Sequence, residues 1–509
     1  MRFTHITEHM EYRDDWKEDY ERKLVSAEEA AKAIRSGDLV AFSFAHPTEV
    51  ALALGKRKDE LQNVYLEINA PAIDPGWLQP GCEHNFFVGA IHFLGGLGRP
   101  SHDAKVISFI PCLMSLRTKF CDEERRRDRR DINVFIVNVS PPDKNGFCSF
   151  GPLLYNKRGY ARRAKVVIAE VDKNMVYPYR GGNFIHVSEI DYFVEAPTSR
   201  VKDDEIRGLI IGTVKDEEKQ HEWIAALTKA NKHEPELTAR AFKFLGPMID
   251  ILSPDFFTNI MGIEEPYPEA KVMAAYVREL IKDGDTIQIG AGRPTTWLPR
   301  VGLFDGFEDM GIHSEMSAWG QPALIREGVF TGKRKTLHPG KAIYTSLAGA
   351  GWDEYIWMSD NPLVELYDAE YVLNPTVIAQ NENMVSINSV LQVDLTGQIT
   401  CESQFGPRLI NGPGGQLDCH LGAFMSKGGR AISMLRSLAF GGSSTIVPQL
   451  AEGSLVTIPR QFADYVVTEY GIASLGAKSH RERANELIAI AHPDCRAELR
   501  KEAQKLFWP

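Results

Sequence analysis

The stretch EAKVMAAYVRELIKDGDTIQIGAGRPTTW, residues 269–297, decides how the chain is read. From Glu269 to Lys282 apolar residues recur at helical spacing, which predicts a helix. Gly284-Asp285 then turns the chain into Thr286 to Ile289, a short apolar run with the pattern of a buried strand. The same signals occur earlier, in LVSAEEAAKAIRSGDLVAFSFAHPT, residues 24–48. There Ser26 and Glu29 fit a capping box opening a helix to about Arg35. Gly37-Asp38 turns the chain, and Leu39 to Phe44 reads as a strand. Ile34 precedes the first Gly-Asp and Pro47-Thr48 follows it; Ile281 and Pro294-Thr295 stand at the same offsets from the second. Gly-Asp turns are common and coincidence is the alternative, but matched offsets favour an internal repeat.

Outward from these two units the grammar is α/β. Val64 to Ile68, Lys105 to Ile110, Asn133 to Val139 and Lys165 to Ala169 are further short strands between helical stretches. Such runs predict largely parallel sheets covered on both faces. The expected organisation is an extension at 1–23, an α/β domain at 24–202, a connector or insertion at 203–268, and a second, related α/β domain at 269–509. A site between the two domains is the natural expectation. Within the connector, Lys215 to Lys232 reads as a solvated helix, and Pro247 to Pro268 is richer in apolar and turn residues. The charge cluster Asp122 to Asp131 reads as an exposed helix face.

Composition narrows the function. With 43% hydrophobic and 25% charged residues among 509, the chain is globular and long enough for two or more domains. A net charge of -10 without a basic segment argues against nucleic acid as partner. The seven cysteines form no CxxC pair, which disfavours a zinc ribbon and suits a reducing compartment. Met1 to Lys23 mixes both charges without an apolar core, and no run reaches membrane-spanning length. The expected location is the cytoplasm, with no membrane partner and no metal.

Familiar catalytic motifs are missing or broken. There is no GxSxG elbow, and His221-Glu222 and His233-Glu234 lack the second histidine of a zinc helix. Gly328 to Arg334 is one residue short of a phosphate-binding loop and places Arg334 at its Ser/Thr position. Gly290-Ala291-Gly292 lacks the third glycine of a dinucleotide fingerprint.

Three glycine-containing turns carry the chemistry instead. They are Gly290 to Thr295, Gly311 to Met316 with Glu315, and Asn411 to Asp418 with Gly414, Gly415 and Gln416. Glycine lets backbone approach a ligand closely, and ligands of open α/β sheets bind at strand carboxyl ends. A glutamate there can meet a carbonyl that the turns polarise. By pattern alone Glu315 reads equally as a surface residue or a cap.

Longer motifs resolve this. TGKRKTLHPGK (331–341), NPTVIAQNENMVSINSVLQVDLTGQ (374–398), NGPGGQLDCHLGAFMSKGG (411–429), VVTEYGIASLGAKSHRERA (466–484) and AHPDCRAEL (491–499) resemble signatures of the class I CoA-transferases of the acetyl-CoA hydrolase/4-hydroxybutyrate (butyrate) CoA-transferase family. His313-Ser314-Glu315-Met316 matches that family's H-[ST]-E-M segment. Pro142 to Gly146, Ser149 to Gly151 and Ile185 to Asp191 extend the likeness to the first half.

The resemblance implies two NagB/RpiA-like, Rossmann-like domains with the site between them. It implies that Glu315 attacks an acyl-CoA, forms an acyl-glutamyl anhydride and then a glutamyl-CoA thioester, and passes CoA to a second carboxylic acid. Acyl-CoA hydrolysis on the same site, or a non-catalytic CoA-ester binder, are the alternatives. Gly415, with Gly414, is implied as an oxyanion donor and Asn374 as an amide near the reacting carbonyl, its other reading being a turn cap before Pro375. Gly290, Gly292, Arg293, Gly414, Gly415 and Gln416 are the expected CoA- and substrate-binding positions. Coenzyme A enters as substrate and product with no permanent cofactor, and a homodimer or larger homo-oligomer is implied.

Departures from the family pattern sit at the first turn. Pro294 falls where a backbone N–H is expected, and proline has none. Arg293 is a candidate for contact with a substrate acid group. Trp297 and Ser317-Ala318-Trp319 crowd the expected acyl site. Glu402 is a second candidate nucleophile, Lys333, Arg334 and Lys335 read as an exposed basic turn or a phosphate contact, Thr468 to Gly471 as a structural turn, and Cys419 as a packing change. His46, His186 and His338 read as structural.

Overall fold

The computed structural model describes residues 15–509 except 45–46, 72, 96, 124–126, 129, 174, 176, 179, 197–201, 234–265 (save 238 and 254), 351 and 440. The first fourteen residues of the expected extension, His46, and most of Pro247 to Pro268 lie outside the described residues.

The two Gly-Asp turns are built alike. Gly37 and Gly284 take φ of 84° and 79°, the left-handed conformation that glycine adopts without strain. The following aspartates reach back three residues: Asp38 accepts from the Arg35 N–H at 2.8 Å and Asp285 from the Lys282 N–H at 2.7 Å. Each aspartate thereby closes the turn that follows a helix and leads the chain into a central strand.

Those strands are β1 (Leu39–Phe42) and, further on, β10. After β1 come β2 (Val64–Ile68), β3 (Phe86–Ile91), β4 (Ile107–Ile110), β5 (Val134–Val139), β6 (Phe147–Ser149), β7 (Val166–Val171), β8 (Phe184–His186) and β9 (Tyr192–Glu195). They form a seven-stranded parallel sheet in the order β4-β3-β2-β1-β5-β7-β9, with β6 and β8 as a separate antiparallel ribbon. The second half runs β10 (Thr286–Ile289), β11 (Gly311–Met316), β12 (Ala342–Ser346), β13 (Val364–Leu366), β14 (Met384–Ser389), β15 (Gln392–Asp394), β16 (Ile399–Thr400), β17 (Arg430–Met434), β18 (Ile446–Val447), β19 (Tyr465–Thr468) and β20 (Gly471–Ser474). Its main sheet is ordered β13-β12-β11-β10-β14-β17-β19-β20, parallel except for β20. In both sheets the first strand is central, the next three step outward on one side and the fifth starts the other side. The order therefore reverses beside β1 and beside β10, the place where open α/β sheets bind ligands.

Apolar runs explain the burial. Leu39–Phe42 and Thr286–Ile289 are buried along their whole length, as strands covered on both faces require. One apolar cluster joins the halves, from Phe135 and Phe150 through Ile287, Tyr344 and Leu366. Backbone also crosses: Leu154 and Tyr155 N–H groups donate to the Thr345 carbonyl at 3.1 and 3.0 Å.

Several local expectations are corrected. The helix after Ser26 is Ala27–Ala31 and does not reach Arg35, because Lys32, Ala33 and Ile34 N–H groups bond three residues back and tighten the turn. Ser26 Oγ caps the Glu29 N–H, but the Glu29 carboxylate pairs with Lys32 and leaves the box half made. Of the charge cluster, Asp122 ends the short helix Lys119–Asp122 and Arg130 stacks 3.7 Å over Tyr65, while Glu124, Arg125, Arg126 and Arg129 lie outside the described residues. The expected solvated helix, Glu217–His233, buries Trp223, Leu227 and Ala230 and so has one packed face.

Candidate active site

Glu315 is the penultimate residue of β11, and its side chain is buried. Its Oε2 accepts the Gly415 N–H at 2.9 Å. Gly415 is the residue before the helix Gln416–Met425, so the positive end of that helix faces the carboxylate. The approach demands glycine. A Cβ at Gly415 would sit 2.6 Å from Glu315 Oε2 and 2.8 Å from Leu373. At Gly414, with φ of 56°, it would sit 2.5 Å from the Phe93 ring.

The turn that carries these glycines is held by the first half of the chain. Asn411 Oδ1 accepts the Leu94 N–H at 2.8 Å, and the Gly414 N–H reaches the His92 carbonyl at 3.3 Å. Three residues beyond Gly415, buried Asp418 accepts from Ser115 Oγ at 2.5 Å and from the Met114 N–H at 3.2 Å. Arg99 Nε donates to the Ile410 carbonyl at 2.6 Å. Phe93, Tyr155, Leu373 and Cys419 share one apolar cluster at this junction.

Burial sets the electrostatics. It pushes the Glu315 carboxyl up to about 7; the Gly415 N–H pulls the other way, and Asp418 pushes up again. Asp418 is itself raised to about 7 by burial against its Ser115 and Met114 donors. Tyr155 is raised by burial and then by the Glu315 charge. Burial holds the Cys419 thiol well above its ordinary range, so it is an inert neighbour to Glu315.

The other expected positions are distributed as follows. Gly414, Gly415 and Glu315 are in contact. Gln416 follows directly, with its Nε2 buried and unpartnered. Gly290 and Gly292 pack on β14: added Cβ atoms would meet Asn388 Oδ1 at 2.1 Å and Ser389 Oγ at 2.3 Å. Arg293 is exposed and opens the short helix Arg293–Thr296, while Pro294 is its buried second residue, where a missing N–H breaks no helical bond. Asn374 caps Pro375–Ile378: Oδ1 accepts the Thr376 N–H at 3.0 Å and Thr376 Oγ1 at 2.8 Å. Its neighbour Leu373 is the side chain against Gly415.

Of the secondary candidates, Glu402 is bound by Thr457 Oγ1 at 2.8 Å, not by a glycine turn. Lys333 and Arg334 pair with Asp309, whereas Lys335 is buried, donating to the Ile312 and Lys341 carbonyls at 2.6 and 2.8 Å. Burial lowers its ammonium to about 7. The reading of all three as an exposed turn therefore fails at Lys335, whose stem lies against Gly311. Thr468 Oγ1 donates to the Ile490 carbonyl at 2.6 Å, a structural contact. Sequence reading missed Phe93, Tyr155, Leu373, Asp418 and Ser115. Among the described residues, no group of three or more His, Cys, Asp and Glu side chains is placed to hold a metal ion, and no helix is long and apolar enough to cross a membrane.

Known proteins resemble this chain along most of its length. The model of the acetyl-CoA hydrolase/transferase N-terminal domain matches residues 7–202, and that of the C-terminal domain matches residues 353–503. Glu315 falls between the two matched stretches. The chain is 36% identical over 499 residues to the 4-hydroxybutyrate coenzyme A transferase of Clostridium kluyveri, covering 97% of this chain and 100% of that protein. It is 32% identical to the probable butyrate:acetyl-CoA coenzyme A-transferase of Syntrophomonas wolfei, covering 96% of each. The crystal structure of RipA from Yersinia pestis superposes with a TM-score of 0.74 at 28% identity, covering 97% of this chain and 100% of that one.

Proposed function

This chain belongs to the acetyl-CoA hydrolase/transferase family, and we propose that it moves CoA from an acyl-CoA thioester to a carboxylic acid by covalent catalysis on Glu315. The observation that carries this reading is the buried Glu315 carboxylate, 2.9 Å from the Gly415 N–H at a helix start.

A Glu315 oxygen attacks the thioester carbonyl, the C–S bond breaks, and the anhydride forms with release of CoA thiolate. The thiolate then attacks Cδ of Glu315, giving the glutamyl thioester and freeing the donor acid. The acceptor carboxylate attacks the same carbon and expels the thiolate again. Finally the thiolate takes the acceptor's acyl carbon and Glu315 returns as a carboxylate. Splitting one transfer into these steps is the advantage of a covalent nucleophile.

In the two middle steps the oxyanion develops on a Glu315 oxygen. The Gly415 N–H already points there, and such a fixed donor contributes about 3 kcal/mol. Gly414 and Gln416 flank it on the same turn. Gly290, Gly292 and Arg293 are assigned to CoA or acid binding at the neighbouring strand end, and Asn374 to an amide role beside Leu373. Burial of Glu315 favours transfer over hydrolysis, since the thioester survives only where water is excluded. CoA is substrate and product and no resident cofactor is assigned. Homo-oligomeric assembly and a reducing, cytoplasmic setting, with all seven cysteines free, complete the reading.

The test is a panel of acyl-CoA donors and acid acceptors in which acceptor-bound CoA and free CoA are both quantified. Transfer predicts CoA on the acceptor in excess of free CoA; free CoA alone, unaffected by acceptor, would make the chain a hydrolase.

A further inference from the structure

Asp418 is fully buried, and no Lys or Arg among the described residues is paired with it. Buried Glu67, by contrast, is held by Arg117 at 2.7 Å. A buried carboxylate without a cation is costly, so the donors it does have matter. Those donors come from one place. Asp418 is the third residue of the helix Gln416–Met425. Its two oxygens accept Ser115 Oγ at 2.5 Å and the Met114 N–H at 3.2 Å, both from the short turn Met114–Leu116 in the first half of the chain.

That turn is braced in its own right. The Met114 carbonyl accepts Asn156 Nδ2 at 3.2 Å, and Met114 belongs to the apolar cluster of Leu373 and Cys419. Gly415, the donor to Glu315, stands directly before the same helix and within one helical turn of Asp418. The bonds from Leu94 to Asn411 and from Gly414 to His92 hold the glycine turn on its other side. From the helix side, the first half reaches the Gly415 donor through the Asp418 carboxylate.

We propose that Asp418 is a positioning residue for the transfer reaction: bridged to Ser115 and Met114, it fixes the first turn of the helix so that the Gly415 N–H stays on Glu315, and it sets a second negative charge beside the nucleophile. The proposal rests on the CoA-transfer reading above and adds a residue to that site. The groups facing Asp418 are Ser115 and the Met114 N–H from the turn, Cys112 just before it, Glu315 from β11 and Cys419 from its own helix. None of these is a cation. Burial raises the Glu315 carboxyl most, and the Asp418 charge raises it further. A like charge in a dry site opposes ionisation of its neighbour. A carboxylate that only tied the two halves together would act on stability and leave the titration of Glu315 alone.

The experiment compares Asp418→Asn, Asp418→Ala and Ser115→Ala with the unmodified protein. Butyryl-, 4-hydroxybutyryl- and succinyl-CoA serve as donors and acetate as acceptor. Steady-state kinetics, melting midpoints and the pH dependence of the CoA adduct on Glu315, followed by mass, are the readouts. Asparagine keeps the bridge and removes the charge, its Oδ1 accepting the Met114 N–H and its Nδ2 donating to Ser115 Oγ. In Asp418→Asn the pH midpoint of adduct formation should therefore fall, by about half a unit or more. Ser115→Ala and Asp418→Ala weaken or break the bridge and should lower kcat by about 10-fold or more, with KM for the acyl-CoA changed less than about threefold. Asp418→Asn should recover most of the kcat lost in Asp418→Ala. A pH midpoint in Asp418→Asn equal to that of the unmodified protein overturns the proposal. So does full kcat in Ser115→Ala, whatever its melting midpoint. Where Asp418→Ala does not fold, the other two variants decide. An unmodified protein that turns over acyl-CoA without any adduct overturns the transfer reading, and this proposal with it; an adduct-forming protein whose variants behave as just described for failure overturns this proposal alone.

Discussion

Gly415 donates its backbone N–H to Oε2 of Glu315 at 2.9 Å, and a methyl group added at Gly415 would lie 2.6 Å from that same oxygen. The close approach and the hydrogen bond are one feature. They fix the carboxylate at the start of a helix, inside the junction between two similarly wound sheets.

Gly415→Ala should therefore push the Glu315 carboxylate off the Gly415 N–H and remove the donor geometry, while the nucleophilic side chain itself is retained. A loss of about 10²–10³ in kcat is expected, the range for deleting one oxyanion donor. Steady-state kinetics beside a thermal melt check this, since a variant that stays folded and keeps full kcat would remove Gly415 from the chemistry.

The pH profile follows from the raised carboxyl. Glu315 attacks as the anion, and burial places its titration at about 7. The rate of acyl-CoA attack should rise as pH increases through about 7 and level off above it. Asp418, also near 7, adds to the same transition, so the observed value belongs to the pair. An attack rate flat from pH 5 to 8 would contradict this.

The same shift weighs on stability. Glu315 stays protonated in the folded state to higher pH than in the unfolded chain. The unfolded state thus binds fewer protons between about 4.5 and about 7, and stability contributed at this site falls as pH rises through that window. Glu315→Gln removes the penalty. Its apparent melting midpoint should exceed the parent's by roughly 2 °C at pH 8 and match it near pH 4. A difference independent of pH would show that the carboxyl is not perturbed.

Asn374 separates into two roles by substitution. Its Oδ1 caps the Thr376 N–H, a task that aspartate also performs. Asn374→Asp should keep the melting midpoint while lowering kcat by about 10²-fold through loss of the amide donor. Full activity in this variant would leave Asn374 as a cap alone.

The sequence held much of this site, and the missing parts share a cause. The turn holding Gly414 and Gly415 and the strand end holding Glu315 were legible as local signals, but the family resemblance, not the local pattern, singled Glu315 out; the repeat was legible because Gly37 and Gly284 impose the same backbone. Phe93, Tyr155 and Ser115 were not, since nothing local ties them to residues 160 or more positions away; only the folded sheets bring them to Glu315 and Asp418. β3 went unread because Gly89 interrupts its apolar run. Lys335 was misjudged because its charged neighbours are exposed, while its own ammonium is satisfied by two carbonyls.

Intact-protein mass measurement after incubation with acyl-CoA tests the central claim most directly. A CoA-sized adduct on the native chain, discharged by an added carboxylic acid and missing in Glu315→Ala, is the predicted result. A chain that consumes acyl-CoA with no adduct, or whose adduct persists in Glu315→Ala, would contradict it.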